Sequence, residues 1–182
     1  MRNYSQKNLR WRFQKLGRCR DTIGKSGCFI TALCNLADTK IKNPKGNMVQ
    51  CHPGILDWVA TVNNLYARGC LVVSKRFAKV LGLEYKGKGS HPPKYDCIAV
   101  TNHFQYVGVP QHFFVYLTNG RIIDSLDGKE KENPYHIISY RYFKNVNLKC
   151  TPEEIKRYEA KVKKYKEKLK KYTNKLNNCL NK

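Results

Sequence analysis

Apolar residues in the first half of the chain recur at helical spacing. Phe29, Ile30, Leu33, Leu36 and Ala37 fall three and four apart, which predicts a helix over residues 26–37 with one buried face. "NPKGN" (43–47) reads as a loop, "HPGILDWVATVNNLYA" as a second helix with Pro53 at its first position, and "SKRFAKVLGL" as a third helix stopped at Gly82. After the Gly-, Lys- and Pro-rich "KGKGSHPPK" the period changes. "YDCIAVTNH", "QHFFVYLTNG", "RIIDSLDG" and "HIISYRYF" read as short strands, and Asn119-Gly120 predicts a hairpin between the middle two. Helices followed by an antiparallel sheet make an α+β domain. The basic segment before them, residues 1 to about 20, reads as irregular, with Trp11, Phe13 and Leu16 as its packing anchors.

The end of the chain has a different pattern, which divides it into a domain over 1–150 and a helix over 151–182. "TPEE" has the form of a capped helix start: Thr151 at the cap, Pro152 first, and Glu154 placed to reach back. Beyond it Ile155, Tyr158, Val162, Tyr165, Leu169, Tyr172, Leu176 and Cys179 form an unbroken heptad stripe on a basic amphipathic helix. In a parallel self-paired dimer Lys161 of one chain would approach Lys166 of the other. The stripe therefore reads as a surface for the chain's own domain or for a protein partner, with self-association behind both.

Charge adds a constraint on partners. With 35 Lys and Arg against 13 Asp and Glu the chain carries +22, of which +7 lies in residues 151–182. Such a balance favours a polyanion: nucleic acid, an anionic membrane surface, or the anionic polymers of a bacterial wall. No helix-turn-helix, zinc-finger or RNA-binding aromatic pattern accompanies it, so no specific nucleic-acid partner is expected. No run approaches the roughly 18 apolar residues of a membrane span, and "MRNYSQKNLRWRF" lacks the apolar core of a secretory signal. The eight cysteines, at 19, 28, 34, 51, 70, 97, 150 and 179, are spread almost evenly with no Cys-x-x-Cys pair. That spacing argues against a zinc site, and the size of the chain argues against a disulfide framework. Reduced, mostly buried thiols are the expectation, and neither a cofactor nor a metal is called for.

Two chemistries compete in "DTIGKSGCFITAL". A phosphate loop needs a glycine five residues before Gly24-Lys25-Ser26, and that position is Cys19, with no apolar strand before it. The nucleophile reading fits better. A helix N-terminus stabilises a thiolate, and Cys28 stands in the first turn of the predicted helix after Gly27, which would let a substrate backbone approach. Thiol catalysis also needs an imidazole and a group to orient it. His112 opens "HFFVYL" and Asp124 lies on "RIIDSL" across the predicted hairpin, so the two come side by side on neighbouring strands. His103, in "TNHFQ", is the rival base; His52, His91 and His136 read as loop or surface residues.

"YSQKNLRW", "TIGKSGCFITAL", "HPGILDWV", "LGLEYKG", "HFFVYL" and "IIDSLDG" together give the chain a resemblance to papain-like cysteine peptidases. The branch it resembles is that of the bacteriocin-leader (double-glycine) peptidases, which includes catalytic domains of some phage lysins. The resemblance covers most of residues 4–143 and implies a papain-like fold with Cys28 as nucleophile, His112 as general base and then acid, and Asp124 as the orienting group. It also implies that Gln6 donates to the oxyanion beside the Cys28 N–H, with Gln14 as the spare candidate. Where many relatives follow the Asp with Pro, this chain has Ser125. The activity implied is hydrolysis of peptide or amide bonds, with bacterial cell-wall peptidoglycan peptides as substrate, by a phage or bacterial lysin in the host cytoplasm or on the virion. The alternatives are a phage structural or assembly component with a peptidase-like domain, and a protein-processing cysteine protease.

Overall fold

The computed structural model describes residues 3–102 and 111–145, together with 162, 165–167 and 172–173. The chain divides into two compact units, Met1–Asn147 and Leu148–Lys182. In the second unit Val162, Tyr165, Lys166, Glu167, Tyr172 and Thr173 are helical with exposed side chains. The stripe residues Ile155, Leu169 and Leu176 lie outside the described residues.

In the first unit the predicted helix over 26–37 is two helices, α1 (Ile23–Ser26) and α2 (Cys28–Ala37), broken at Gly27. The break has a steric cause. A Cβ on Gly27 would lie 2.5 Å from the Ile23 carbonyl oxygen, so only glycine allows the chain to turn back so tightly from one helix into the next. The "NPKGN" segment is the turn of a small hairpin between β1 (Lys40–Lys42) and β2 (Met48–Gln50), in which the Asn43 side chain accepts the backbone N–H groups of Lys45 and Asn47. Helix α3 (Pro53–Val62) starts at the predicted proline but ends five residues early. Asn64 adopts a left-handed conformation, φ 51°, and the chain turns into a second hairpin, β3 (Tyr66–Ala67) with β4 (Leu71–Val72). Helix α4 (Ser74–Leu81) stops at Gly82 as predicted, at φ 66°.

Strand β5 (Leu83–Gly89) then enters the main sheet, where a loop was expected from the glycines of "KGKG". Its side chains alternate: Leu83 and Tyr85 face inward while Glu84, Lys86 and Lys88 face water. The sheet continues with β6 (Cys97–Thr101), β7 (His112–Tyr116), β8 (Ile122–Ile123), β9 (Glu130–Lys131) and β10 (Ser139–Asn145), in the antiparallel order β5-β10-β6-β7-β8-β9. Asn119-Gly120 turns β7 into β8, with Gly120 at φ 84°.

Helix α2 lies against one face of this sheet. Phe29 stacks on Phe113 at 4.6 Å, while Ile30, Leu33 and Cys34 join Ile98, Val115, Ile123 and Phe143 in the main core. Cys97, Ala99, Phe114, Ile122, Tyr135 and Tyr140 form a second cluster, so both faces of β6 are covered. Trp11 and Leu16 are buried as expected; Phe13 is not, being 69% exposed.

The expectation of wholly reduced thiols is overturned. Cys19 and Cys70 form a disulfide, 51 residues apart in sequence. Two left-handed glycines bring them together: Gly17 (φ 56°) and Gly69 (φ 85°) turn their segments toward each other, and the Arg18 N–H donates to the Gly69 carbonyl at 2.9 Å. Cys28, Cys34, Cys51 and Cys97 are free and buried.

Candidate active site

Cys28 is the first residue of α2, where helix geometry leaves the backbone N–H groups without a carbonyl one turn back. His112 is the first residue of β7, and Asp124 directly follows β8. The packing of α2 on β7 therefore brings the helix N-terminus to the strand end that carries the histidine. The Cys28 thiol and the His112 ring line the same cleft, and the thiol is close enough to favour the protonated ring. The second ring nitrogen, Nε2, donates to Asp124 Oδ1 at 2.8 Å, which leaves Nδ1 as the ring atom for the sulfur. All three residues are buried, at 5%, 4% and 0% exposure.

Burial alone would make His112 harder to protonate. The hydrogen bond that the ring donates to Asp124, together with the neighbouring Cys28, outweighs it and raises the imidazole to about 9. Asp124 is likewise pulled upward by burial, but the donors around it keep its carboxyl well below the usual carboxylate range. Each of its oxygens accepts twice. Oδ1 takes His112 Nε2 and the Leu126 N–H at 2.9 Å; Oδ2 takes the Tyr135 hydroxyl at 2.6 Å and Lys131 Nζ at 2.7 Å. A carboxylate with four donors is fixed in place and stays charged inside the protein. The main chain anchors it as well, since the Asp124 N–H donates to the Lys129 carbonyl and the Gly128 N–H to the Asp124 carbonyl.

Gln6 reaches the same place from the entry segment. Its backbone N–H donates to the Ser125 carbonyl at 2.8 Å, and its side-chain Nε2 donates to the Gly24 carbonyl at 3.1 Å. An amide nitrogen carries two hydrogens, so one is left for an oxyanion. Gln14 points elsewhere: its Nε2 donates to the Gly54 carbonyl and to Asp57 Oδ2. Asp57 also accepts the Gly17 N–H and the Tyr66 hydroxyl, both at 2.7 Å, so Gln14 belongs to a buried structural network that also positions the disulfide segment.

These side chains open on a cleft of about 540 Å³ lined by Gln6, Cys28 and His112 together with Lys7, Arg12 and Phe13. Thr22, Gly24, Lys25 and Leu126 complete its wall. The polar atoms of the phosphate-loop lookalike are turned on one residue, Asp21, whose two oxygens take Lys25 Nζ at 2.9 Å and Ser26 Oγ at 2.8 Å. Gly24 serves a close approach, because a Cβ there would meet the Arg12 carbonyl at 2.7 Å. Gly27 packs against Ile23 in the same way, which gives the glycine a packing reason beside the expected one of admitting a substrate backbone.

Of the other histidines, His103 lies outside the described residues. His52 caps α3 by accepting the Ile55 N–H on Nδ1 and stacks on Trp11 at 4.9 Å, while His91 and His136 are exposed. Lys131 and Tyr135 are the site residues that sequence reasoning missed. The only available signal was their position just after the candidate aspartate. Among the described residues no group of three or more His, Cys, Asp or Glu is placed to hold a metal ion, and no helix is long and apolar enough to cross a membrane. No family model, no curated protein and no solved structure matches the chain.

Proposed function

We propose that the chain is a papain-like cysteine hydrolase that cleaves peptide or amide bonds, with bacterial cell-wall peptides as its substrates. The observation that carries this reading is the placement of Cys28, at a helix N-terminus and on the floor of a cleft, against an imidazole whose other nitrogen is held by a buried carboxylate. The net charge of +22 supports an anionic polymer as the surface on which it works, in the host cytoplasm, on a virion, or at the wall itself.

The steps follow from the geometry. The Cys28 thiolate attacks the carbonyl carbon; the C–S bond forms and the carbonyl π pair moves onto oxygen. The Cys28 N–H and the second hydrogen of Gln6 Nε2 meet that oxyanion. His112 gives its proton to the leaving nitrogen, the C–N bond breaks, and a thioester remains. His112 then takes a proton from water, the resulting hydroxide adds to the thioester, and collapse breaks the C–S bond to return the thiolate.

Limiting iodoacetamide near neutral pH tests the chemistry, with mass spectrometry locating the label. Preferential modification of Cys28 over the other free thiols, lost in His112→Ala, is expected; an unreactive Cys28 overturns the reading. Purified cell wall tests the substrate: wild type should release new amino termini and Cys28→Ala should not. Equal release by both, or by neither, would remove wall peptides.

A further inference from the structure

The rim of the cleft carries three cations, Lys7, Arg12 and Lys25, and no carboxylate. Lys25 is paired with Asp21 at 2.9 Å. Among the described residues neither Lys7 nor Arg12 has an acidic partner. The Arg12 main chain is held in place, its N–H donating to the Asn8 carbonyl and its carbonyl accepting the Gly24 N–H at 2.9 Å, and its guanidinium lies 4.4 Å over the Phe13 ring. Phe13 itself is 69% exposed and contributes almost nothing to the core. An exposed aromatic ring under an arginine with no acidic partner among the described residues, lining the same cleft as the candidate nucleophile, is a surface built to meet something. A guanidinium fork matches a carboxylate, and a second cation beside it adds to the attraction without adding a shape requirement.

We propose that Lys7 and Arg12 form an anion subsite in the cleft, with Phe13 as its apolar neighbour, so that the peptides cleaved carry a carboxylate side chain close to the scissile carbonyl. The proposal rests on Cys28 being the nucleophile of that cleft. It names the feature by which an acidic peptide is chosen over a neutral one, through attraction at the rim and exclusion of basic side chains from the same place.

Iodoacetate and iodoacetamide are nearly the same size and differ in charge, so they read the subsite without a known substrate. The measurement is the ratio of their rate constants at Cys28 in the full chain, divided by the same ratio for N-acetylcysteine. The His112 imidazolium also attracts iodoacetate, so the deciding quantity is the change on neutralising the rim. Lys7→Gln with Arg12→Gln should lower the ratio about five- to tenfold. Arg12→Lys should keep most of the ratio, and added salt should reduce it in wild type. An unchanged ratio in the double variant overturns the subsite and leaves the nucleophile standing, as does a loss in Arg12→Lys equal to that in Arg12→Gln. Failure of Cys28 to react with either reagent overturns both.

Discussion

The Tyr135 hydroxyl donates to Asp124 Oδ2 at 2.6 Å, on the oxygen opposite the one that holds His112. With Lys131 on the same oxygen, the carboxylate cannot rotate to accept a proton or release the imidazole without breaking two charge-assisted contacts. Tyr135 and Lys131 touch the aspartate, and in the proposed reaction they would act as positioning residues, through the histidine.

Replacing Asp124 by Asn should remove the orientation of His112 and lower kcat/KM by about 10²–10⁴-fold, because an amide presents an N–H where a donor now points. Tyr135→Phe should cost about 1.5–3 kcal/mol of stability and reduce turnover much less. NMR titration of the His112 ring separates positioning from loss of fold. Its midpoint should fall strongly in Asp124→Asn and slightly in Tyr135→Phe; no movement in either would detach the aspartate from the base.

In the proposed reaction His112 would set the alkaline limit. Its imidazolium persists to about 9, and the leaving nitrogen needs that proton, so kcat/KM should fall as pH rises through about 9. Its folded value lies above the ordinary 6.5. The stabilisation it supplies is therefore fully present below about 6.5 and lost between about 6.5 and 9, on the order of 3 kcal/mol. Asp124 runs the other way, stabilising above the ordinary carboxylate range and losing that contribution as pH falls. Denaturant midpoints of wild type and His112→Gln, compared at pH 6 and pH 9.5, should converge at the higher pH; a constant gap would count against the raised imidazole.

Gln6→Ala should lower kcat by about 10²–10³-fold with little change in KM, since the lost hydrogen bond matters most once charge reaches the carbonyl oxygen. Stability should drop by only about 1 kcal/mol, from the contact to the Gly24 carbonyl. A large rise in KM with kcat preserved would instead make Gln6 a substrate-binding residue.

The Cys19–Cys70 disulfide closes a loop with a sequence separation of 51 residues, a constraint worth about 4 kcal/mol by chain entropy. Cys19→Ser with Cys70→Ser should lower the denaturant midpoint accordingly, and a reducing agent should do the same to wild type alone. Neither residue lines the cleft, so labelling of Cys28 below the new melting temperature should be retained. Loss of that labelling in the folded variant would tie the disulfide to the site.

Periodicity made α4 legible as a helix with one buried face, Phe77, Ala78 and Leu81. Helix α2, expected to bury one face, is buried almost all round, and β6 is buried at every residue, so these were legible as apolar runs rather than by a one-sided spacing. Periodicity failed at β5, where glycines at 87 and 89 interrupt an alternation carried by Leu83 and Tyr85 alone. The Cys–His–Asp set was readable because two of its members flank a hairpin whose turn is written locally in Asn119-Gly120. Lys131 and Tyr135 were not, since nothing in a charged, turn-rich stretch tells which residues fold back on Asp124. The disulfide was hidden for a related reason: its pairing depends on two glycine turns and on the Asp57 network, all long-range.

Gly27 offers the sharpest test of how Cys28 is placed. A Cβ there would strike the Ile23 carbonyl oxygen at 2.5 Å and the Ile23 side chain at 2.7 Å, neither of which can yield without moving α1 against α2. Gly27→Ala should therefore destabilise the domain by about 2–4 kcal/mol and displace Cys28 from His112. Gly46→Ala is the comparison: its φ is 89°, but its Cβ would meet only the Lys42 side chain at 3.9 Å, so about 1 kcal/mol is expected from backbone strain alone. Thermal melts of the two variants decide between packing and substrate access. A Gly27→Ala protein that melted like wild type but bound substrate poorly would return that glycine to the cleft; early melting with slow labelling of Cys28 would fix it as the hinge on which Cys28 is mounted.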